Sequence, residues 1–317
     1  MYQIITDIAD LRPEWLREHP EVSVASSIVL AAGEGKHLQF YDSVEPPESF
    51  LKIDKLFRDG YSISSSMPVL RGAGLTPPSV EELATAALDK GRDVLYLAVN
   101  STISGTYGAV SPLFKELEEL YPDRKLICID SECASTGLNM LVKDLAASGI
   151  TDAVQARDYC LLHRSEIAHL FSWQELDYIF KSGKVVGILA LLGRLLHFKP
   201  FCSCEYDEHN VRHLTTVGVK LRSEQKLAEK AARFIKATIT DECGVITINY
   251  ANSPDFAKRF EKEIRRELPS AQILCGPDYR VGITIQAHGG PTSIHINYHR
   301  KREGNTLAES KKLFGSL

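Results

Sequence analysis

The sequence predicts an α/β protein built as two domains. Short apolar runs alternate with longer amphipathic ones along the chain, which is the pattern of sheet and helix layers rather than of a sandwich or a helical bundle. The 317 residues exceed the ~100–200 that one core usually organises. A composition of 44% hydrophobic and 25% charged residues is that of an ordinary globular chain and excludes disorder, collagen and coiled coil.

Each element has its own warrant. Gln3–Thr6 reads as the first strand, Val22–Leu30 as the second, and Val94–Val99 and Leu126–Ile129 as strands that follow helix-like segments. A helix over Val80–Lys90 opens with Ser79 and Glu82 in capping-box spacing and ends at Gly91. Another opens at Ser111-Pro112 and runs to Tyr121. Thr151–Arg164 is polar and without strong periodicity, which places the domain boundary near it and divides the chain into residues 1–160 and 161–317. In the second half Gly244–Tyr250 is a strand, and Ser253-Pro254 starts a charged helix that stops before Pro269. Val281–Ala287 and Ser293–Tyr298 read as further strands, separated by the Gly289-Gly290-Pro291 turn.

Charge and cysteine usage narrow the function. A net charge of -4 argues against a nucleic-acid surface, because neutralising phosphates takes a clustered excess of Lys and Arg. The seven cysteines are an odd number, scattered singly apart from Cys202 and Cys204, which fits a reducing, cytoplasmic setting rather than a disulfide framework. The N-terminus shows no basic segment followed by an apolar one and reads as a strand, not a signal peptide. The longest apolar run, Val185–Phe198, is shorter than the ~20 residues that span a bilayer and contains Arg194 and His197. The chain is therefore expected not to be membrane-embedded, with at most transient membrane contact.

The most informative segment is Asn100-Ser101-Thr102-Ile103-Ser104-Gly105-Thr106-Tyr107. It directly follows an apolar strand and precedes a helix, the place where open α/β sheets bind ligands. Small hydroxyls, a glycine and free N–H groups at a helix start make an anion site. The same residues also suit an ordinary polar βα loop. The patch Asp130-Ser131-Glu132-Cys133-Ala134-Ser135-Thr136-Gly137 repeats the composition, and there Asp130 and Ser131 are expected to cap the following helix. His288 sits before a tight turn. His295 and His299 are four apart on a strand, hence about 13 Å from each other, and Cys202 and Cys204 lack a partner pair, so no metal site is expected. Nucleophile elbow, P-loop and dinucleotide glycine motifs are missing. Ser104 with His288 as base leaves one enzymatic alternative, a serine hydrolase acting on acyl esters or acyl phosphates, with no orienting acid marked.

Taken together and in order, these segments resemble the DegV family of bacterial fatty-acid-binding proteins. The resemblance is carried by Ile5-Thr6-Asp7 with Ala9-Asp10-Leu11, by Ser101 to Tyr107, and by Asp130-Ser131 with Ser135 and Gly137. It continues through Ser182-Gly183-Lys184-Val185, Gly193, Lys199-Pro200 and His288-Gly289-Gly290-Pro291, spanning nearly the whole chain. The family's T-S-Q-P-S loop falls on Ser65-Ser66-Met67-Pro68 when counted from the helix containing Phe50. Counted back from Ser104 it falls on Leu75-Thr76-Pro77-Pro78-Ser79. The first is preferred because Ser79 already caps a helix. Departures are a first motif one residue short and lacking its Ser, Asn139 at a usual Gly, and Lys184 for the family's Arg.

The resemblance implies two α/β domains. The first has an open, mostly parallel sheet with flanking helices and holds the lipid head group; the second has a mixed sheet and covers the acyl chain. It further implies a bound long-chain fatty acid and no other cofactor. Its carboxylate would be held by Ser65, Ser66, Ser104, Gly105 and Thr106, with His288 nearby and Lys184 at the mouth; Thr76 belongs to the alternative loop. The run Val185–Phe198 would line the acyl tunnel. The implied partner is a fatty acid kinase subunit that phosphorylates the presented carboxylate. A third reading keeps the fold as a scaffolding or regulatory protein without the ligand.

Overall fold

Six consecutive buried residues make β1 (Tyr2–Asp7) a strand covered on both faces. It pairs in parallel with β2 (Val22–Ala25) and with β6 (Asp93–Ala98), and β6 pairs in parallel with β7 (Leu126–Asp130). The resulting order is β2-β1-β6-β7. Helix α3 (Val80–Leu88) starts in a complete capping box, with Ser79 accepting from the Glu82 N–H and Glu82 accepting from the Ser79 N–H. Val80, Ala84 and Leu88 of α3 share one core with Ile5, Val94 and Tyr96 of the sheet, and with Val110, Leu113, Phe114 and Leu117 of α4 (Thr106–Leu120). These elements belong to the first of two units, Met1–Arg164 with Gly282–Thr284; the second is Ser165–Val281 with Ile285–Leu317. The computed structural model describes residues 1–7, 11–41, 48–70, 78–176, 178–179, 199–218 and 223–317.

The stretch expected as one strand over 22–30 is two. The buried pair Ser26 and Ser27 separates β2 from β3 (Ile28–Gly33), which leaves the parallel sheet and forms an antiparallel one with β4 (Lys36–Tyr41) and β5 (Ser62–Ser66). The β3–β4 hairpin closes through Glu34 and Gly35 at φ 50° and 71°, the positive values that a two-residue hairpin turn requires. Between β4 and β5 lies α2 (Glu48–Arg58), and α1 (Pro13–Glu18) joins β1 to β2.

Two helices also depart from expectation. Helix α4 begins at Thr106, five residues before Ser111, and carries Pro112 in its interior. The missing N–H of Pro112 leaves the Gly108 carbonyl without its helical donor, on an exposed stretch of the helix. The polar stretch after α5 (Thr136–Ala147) is a helix, α6 (Ala153–His163), with Asp152 accepting from the Val154 and Gln155 N–H groups as its cap. Its buried face is Ala153, Ala156 and Cys160. Such small residues leave little hydrophobic periodicity to read.

In the second unit the described strands form one mixed sheet, β10-β9-β8-β13-β11-β12. They are β8 (Ile167–Trp173), β9 (Phe201–Tyr206), β10 (Arg212–Gly218), β11 (Val245–Tyr250), β12 (Gln272–Arg280) and β13 (Ser293–His299). Among them β11 and β12 are the parallel pair. One face is apolar: Ala168, Leu170, Ile246, Ile248, Ile294 and Ile296 pack against α7 (Glu224–Thr238), α8 (Pro254–Glu267) and α10 (Leu307–Ser316). Phe314 of α10 stacks on Phe201 at 4.8 Å between ring centroids. Where a strand was expected over Val281–Ala287, the chain forms α9 (Ile283–Gly289). Ile283, Thr284, Gln286 and Ala287 are buried there while Ile285 and His288 are not. That spacing follows a helix rather than an alternating strand, so tertiary packing overrides the β-branched composition.

Candidate functional site

The carboxyl ends of the parallel strands β1, β6 and β7 bring three polar segments into one place. Asp7, the last residue of β1, is completely buried, and its Oδ1 accepts from the Val99 N–H at 2.9 Å. The Thr106 and Tyr96 hydroxyls also face this carboxyl and lower its pKa. Oδ2 nevertheless lacks a hydrogen bond of normal geometry. Burial dominates, and the Asp7 carboxyl is raised from its ordinary 3.8 to about 7.

Asn100, fully buried, organises the loop that follows β6. Its Oδ1 accepts from the Thr102 N–H and hydroxyl at 2.8 and 2.7 Å, its N–H donates to the Cys133 carbonyl at 2.8 Å, and its own carbonyl accepts from the Ile103 and Ser104 N–H groups. Ser104 is thereby presented half-buried, with its Oγ 2.9 Å from Thr106 Oγ1 and accepting from the Thr106 N–H at 3.3 Å. Gly105, at the cap position of α4, is exposed and makes no side-chain cap bond. A hydroxyl, a bare backbone position and open N–H groups at a 15-residue helix start form a neutral cradle for an anion.

The neighbouring loop after β7 is used differently. Asp130 does not cap α5; it accepts from the Ser101 N–H at 3.2 Å and the Glu132 N–H at 2.9 Å, bracing one loop against the other. Ser131 accepts from the Cys133 N–H at 3.1 Å and does not cap α5 either. The cap position belongs to Ser135, at φ 52° and without a side-chain cap bond. Glu132 is tied to Arg164 at 2.9 Å.

The remaining expected residues stand on other elements. Ser65 and Ser66 end β5, opposite Val29 and Ile28 of β3. Ser65 is half-buried and Ser66 exposed. The chain then continues through Met67 and Val69, which pack on the core shared by α3 and α4. The Val80 and Glu81 N–H groups donate to the Pro68 and Val69 carbonyls. His288 occupies the last turn of α9 and is half-buried. Thr76, Lys184 and the apolar run 185–198 lie outside the described residues. His295 is buried against Phe171, ring centroids 4.7 Å apart, and burial pushes its pKa down to about 3. Among the described residues no group of three or more His, Cys, Asp or Glu could hold a metal ion, and no helix is long and apolar enough to cross a membrane.

Asp7 is the residue to which sequence reasoning gave no role, although the motif containing it was noted. Its signal was a carboxylate closing a strand built around the Ile4-Ile5 pair.

Comparison with known proteins gives this geometry a context. The model of the family described as "Uncharacterised protein, DegV family" matches residues 61–301. A DegV domain-containing protein of Clostridium acetobutylicum is 26% identical over 231 residues, 71% of this chain and 78% of the relative. A stearic acid-binding protein from Eubacterium ventriosum superposes with a TM-score of 0.72 at 20% identity, covering 96% of this chain and 99% of the other. The fatty acid kinase (Fak) B3 protein of Streptococcus pneumoniae, loaded with linoleic acid, gives 0.73 at 16% identity over 95% and 100% of the two chains.

Proposed function

The chain belongs to the DegV family, and from that premise we propose that it binds a long-chain fatty acid and presents its carboxylate to a partner fatty acid kinase, without turnover of its own. The observation that carries this reading is the Ser104-Gly105-Thr106 turn, a half-buried hydroxyl beside an uncapped helix start. A carboxylate withdrawn from water must recover several hydrogen bonds, and such donors supply them without a buried counter-charge. Ser65, Ser66 and His288 are the further head-group contacts in this proposal, with Lys184 at the mouth. An acyl chain of about fifteen methylenes contributes ~12 kcal/mol when buried, before immobilisation costs of several kcal/mol. The kinase partner is proposed because the Streptococcus pneumoniae neighbour is named as part of a fatty acid kinase.

The test is a denaturing extraction of protein purified from a bacterial host, followed by lipid mass spectrometry. A C14–C18 acid at close to one per chain is expected. Ser104→Ala is expected to weaken oleate binding about tenfold, the loss of one charge-assisted hydrogen bond of ~1.4 kcal/mol or somewhat more. Protein that is isolated empty and takes up no added oleate overturns the proposal.

A further inference from the structure

We infer that Asp7 is a positioning residue whose protonation state sets the direction of a hydroxyl chain from the sheet interior through Thr106 to Ser104, and thereby gates carboxylate binding. The inference rests on the fatty-acid reading above and adds to it a regulation of the same site. Its geometry is contained in one unit. The Asp7 carboxyl is fixed through Oδ1 by the Val99 N–H, which leaves Oδ2 to carry the proton. The Thr106 hydroxyl faces the carboxyl, and Thr106 Oγ1 lies 2.9 Å from Ser104 Oγ, where either oxygen can donate.

Each hydroxyl has one proton and two lone pairs, so the proton state of Asp7 biases the direction of the chain. With Asp7 ionised, the Thr106 O–H donates to Oδ2, and the Ser104 O–H then donates inward to Thr106. Ser104 presents only lone pairs outward, against an incoming carboxylate. With Asp7 neutral, Oδ2–H donates to Thr106, the Thr106 O–H donates to Ser104 Oγ, and the Ser104 O–H points to the ligand. Binding of an anion therefore takes up a proton on Asp7.

The titratable groups facing Asp7 do not compete in this window. Tyr96 on β6 is held neutral far above it by burial, and the Cys128 thiol on β7 is pushed up to about 12, also chiefly by burial. Asp130, at the end of β7, acts on Cys128 and is engaged by the Ser101 and Glu132 N–H groups. The Asp7 carboxyl itself, at about 7, changes state where cells operate.

The experiment measures oleate affinity of delipidated wild type, Asp7→Asn and Thr106→Val from pH 5.5 to 9. Asparagine donates to Thr106 at every pH, so the ratio of its affinity to that of the wild type should rise above pH 7 and level off at about tenfold, the contribution of the Ser104 hydroxyl. The ratio cancels titration of the oleate. Thr106→Val severs the chain and should lower affinity while abolishing the pH dependence assigned to Asp7. This variant keeps the test intact if Asp7→Asn folds poorly. Calorimetry of the wild type at pH 8 in buffers of different ionisation enthalpy should show a net fractional proton uptake per oleate. Parallel wild-type and Asp7→Asn profiles, or binding at pH 8 without proton uptake, would overturn the inference while leaving the fatty-acid reading in place. No oleate binding by the wild type at any pH overturns that reading, and this inference with it.

Discussion

Asp7 and Glu205 are both buried carboxyls at or near the end of a strand, and they have opposite surroundings. Glu205, on β9 of the second unit, is held through both oxygens by Arg300 Nη1 at 2.9 and 3.0 Å, with neither side chain exposed. Ser203 donates to it as well, and Arg300 Nη2 continues to the Gly304 carbonyl at 2.8 Å. Asp7, on β1 of the first unit, has neutral partners only among those described above: one N–H and two facing hydroxyls. Burial raises both acids, but at Glu205 an arginine opposes it. A buried acid with its own counter-charge is locked into structure. A buried acid with neutral partners retains a proton equilibrium near neutrality.

Removing the counter-charge should have the largest effect. Arg300→Met leaves Glu205 buried with the Ser203 hydroxyl and the charge of Arg212 for support and is expected to cost about 3–5 kcal/mol of unfolding free energy in urea titrations. Adding Glu205→Leu to the same chain should recover most of that loss, because two apolar groups of matching size need neither desolvation nor pairing. If the double variant is as unstable as the single one, Glu205 is not held mainly by charge and the contrast with Asp7 weakens.

Asp7→Asn should move stability the other way. The folded carboxyl keeps its proton to about pH 7, whereas in the unfolded chain it releases it near pH 3.9. Between these values the folded protein binds more protons, so Asp7 lowers stability as pH rises through the window and the penalty is complete above it. The full gap corresponds to on the order of 4 kcal/mol. Delipidated Asp7→Asn should therefore be more stable than wild type at pH 8 by as much as that, with the gain shrinking toward nothing near pH 4. A constant difference across pH would mean that Asp7 is ionised throughout.

The same contrast marks what the sequence made legible. The parallel strands β1, β6 and β7 were readable because their apolar runs end in polar loops, and the Ser79–Glu82 box because capping is local chemistry. The segment 281–287 misled because short β-branched runs suit either state until packing decides. Helix α6 was hidden by a buried face of alanines and a cysteine, and β3 by the two serines that redirect the chain. At the site, composition marked the two loops as equivalents. Only the hydrogen bonds separate Ser104, presented half-buried, from Asp130 and Ser131, turned inward to brace. Asp7 could be read as part of a motif, but that its partners among the described residues are neutral is a property of the fold.

The smallest expected effect supplies the zero point of the comparison, a carboxylate left partly in water. Glu82 of α3 is half-buried and accepts from the Ser79 N–H at 2.9 Å and the Ser79 hydroxyl at 3.0 Å. Water shares its solvation, so neither an arginine nor a proton is needed to keep it. Ser79→Ala removes the cap from the Glu82 N–H and one donor from the carboxylate, and should cost about 1 kcal/mol of stability. That loss should be nearly independent of pH from 6 to 9, since the cap removed is a bond between a hydroxyl and a backbone N–H, neither of which ionises there. Oleate affinity should stay within about twofold, because the cap stabilises the folded state as a whole rather than orienting Ser104. A loss that grows between pH 6 and 8 would show that Glu82 shares the proton chemistry of Asp7, and solvent access would then not be what separates an inert carboxyl from a responsive one.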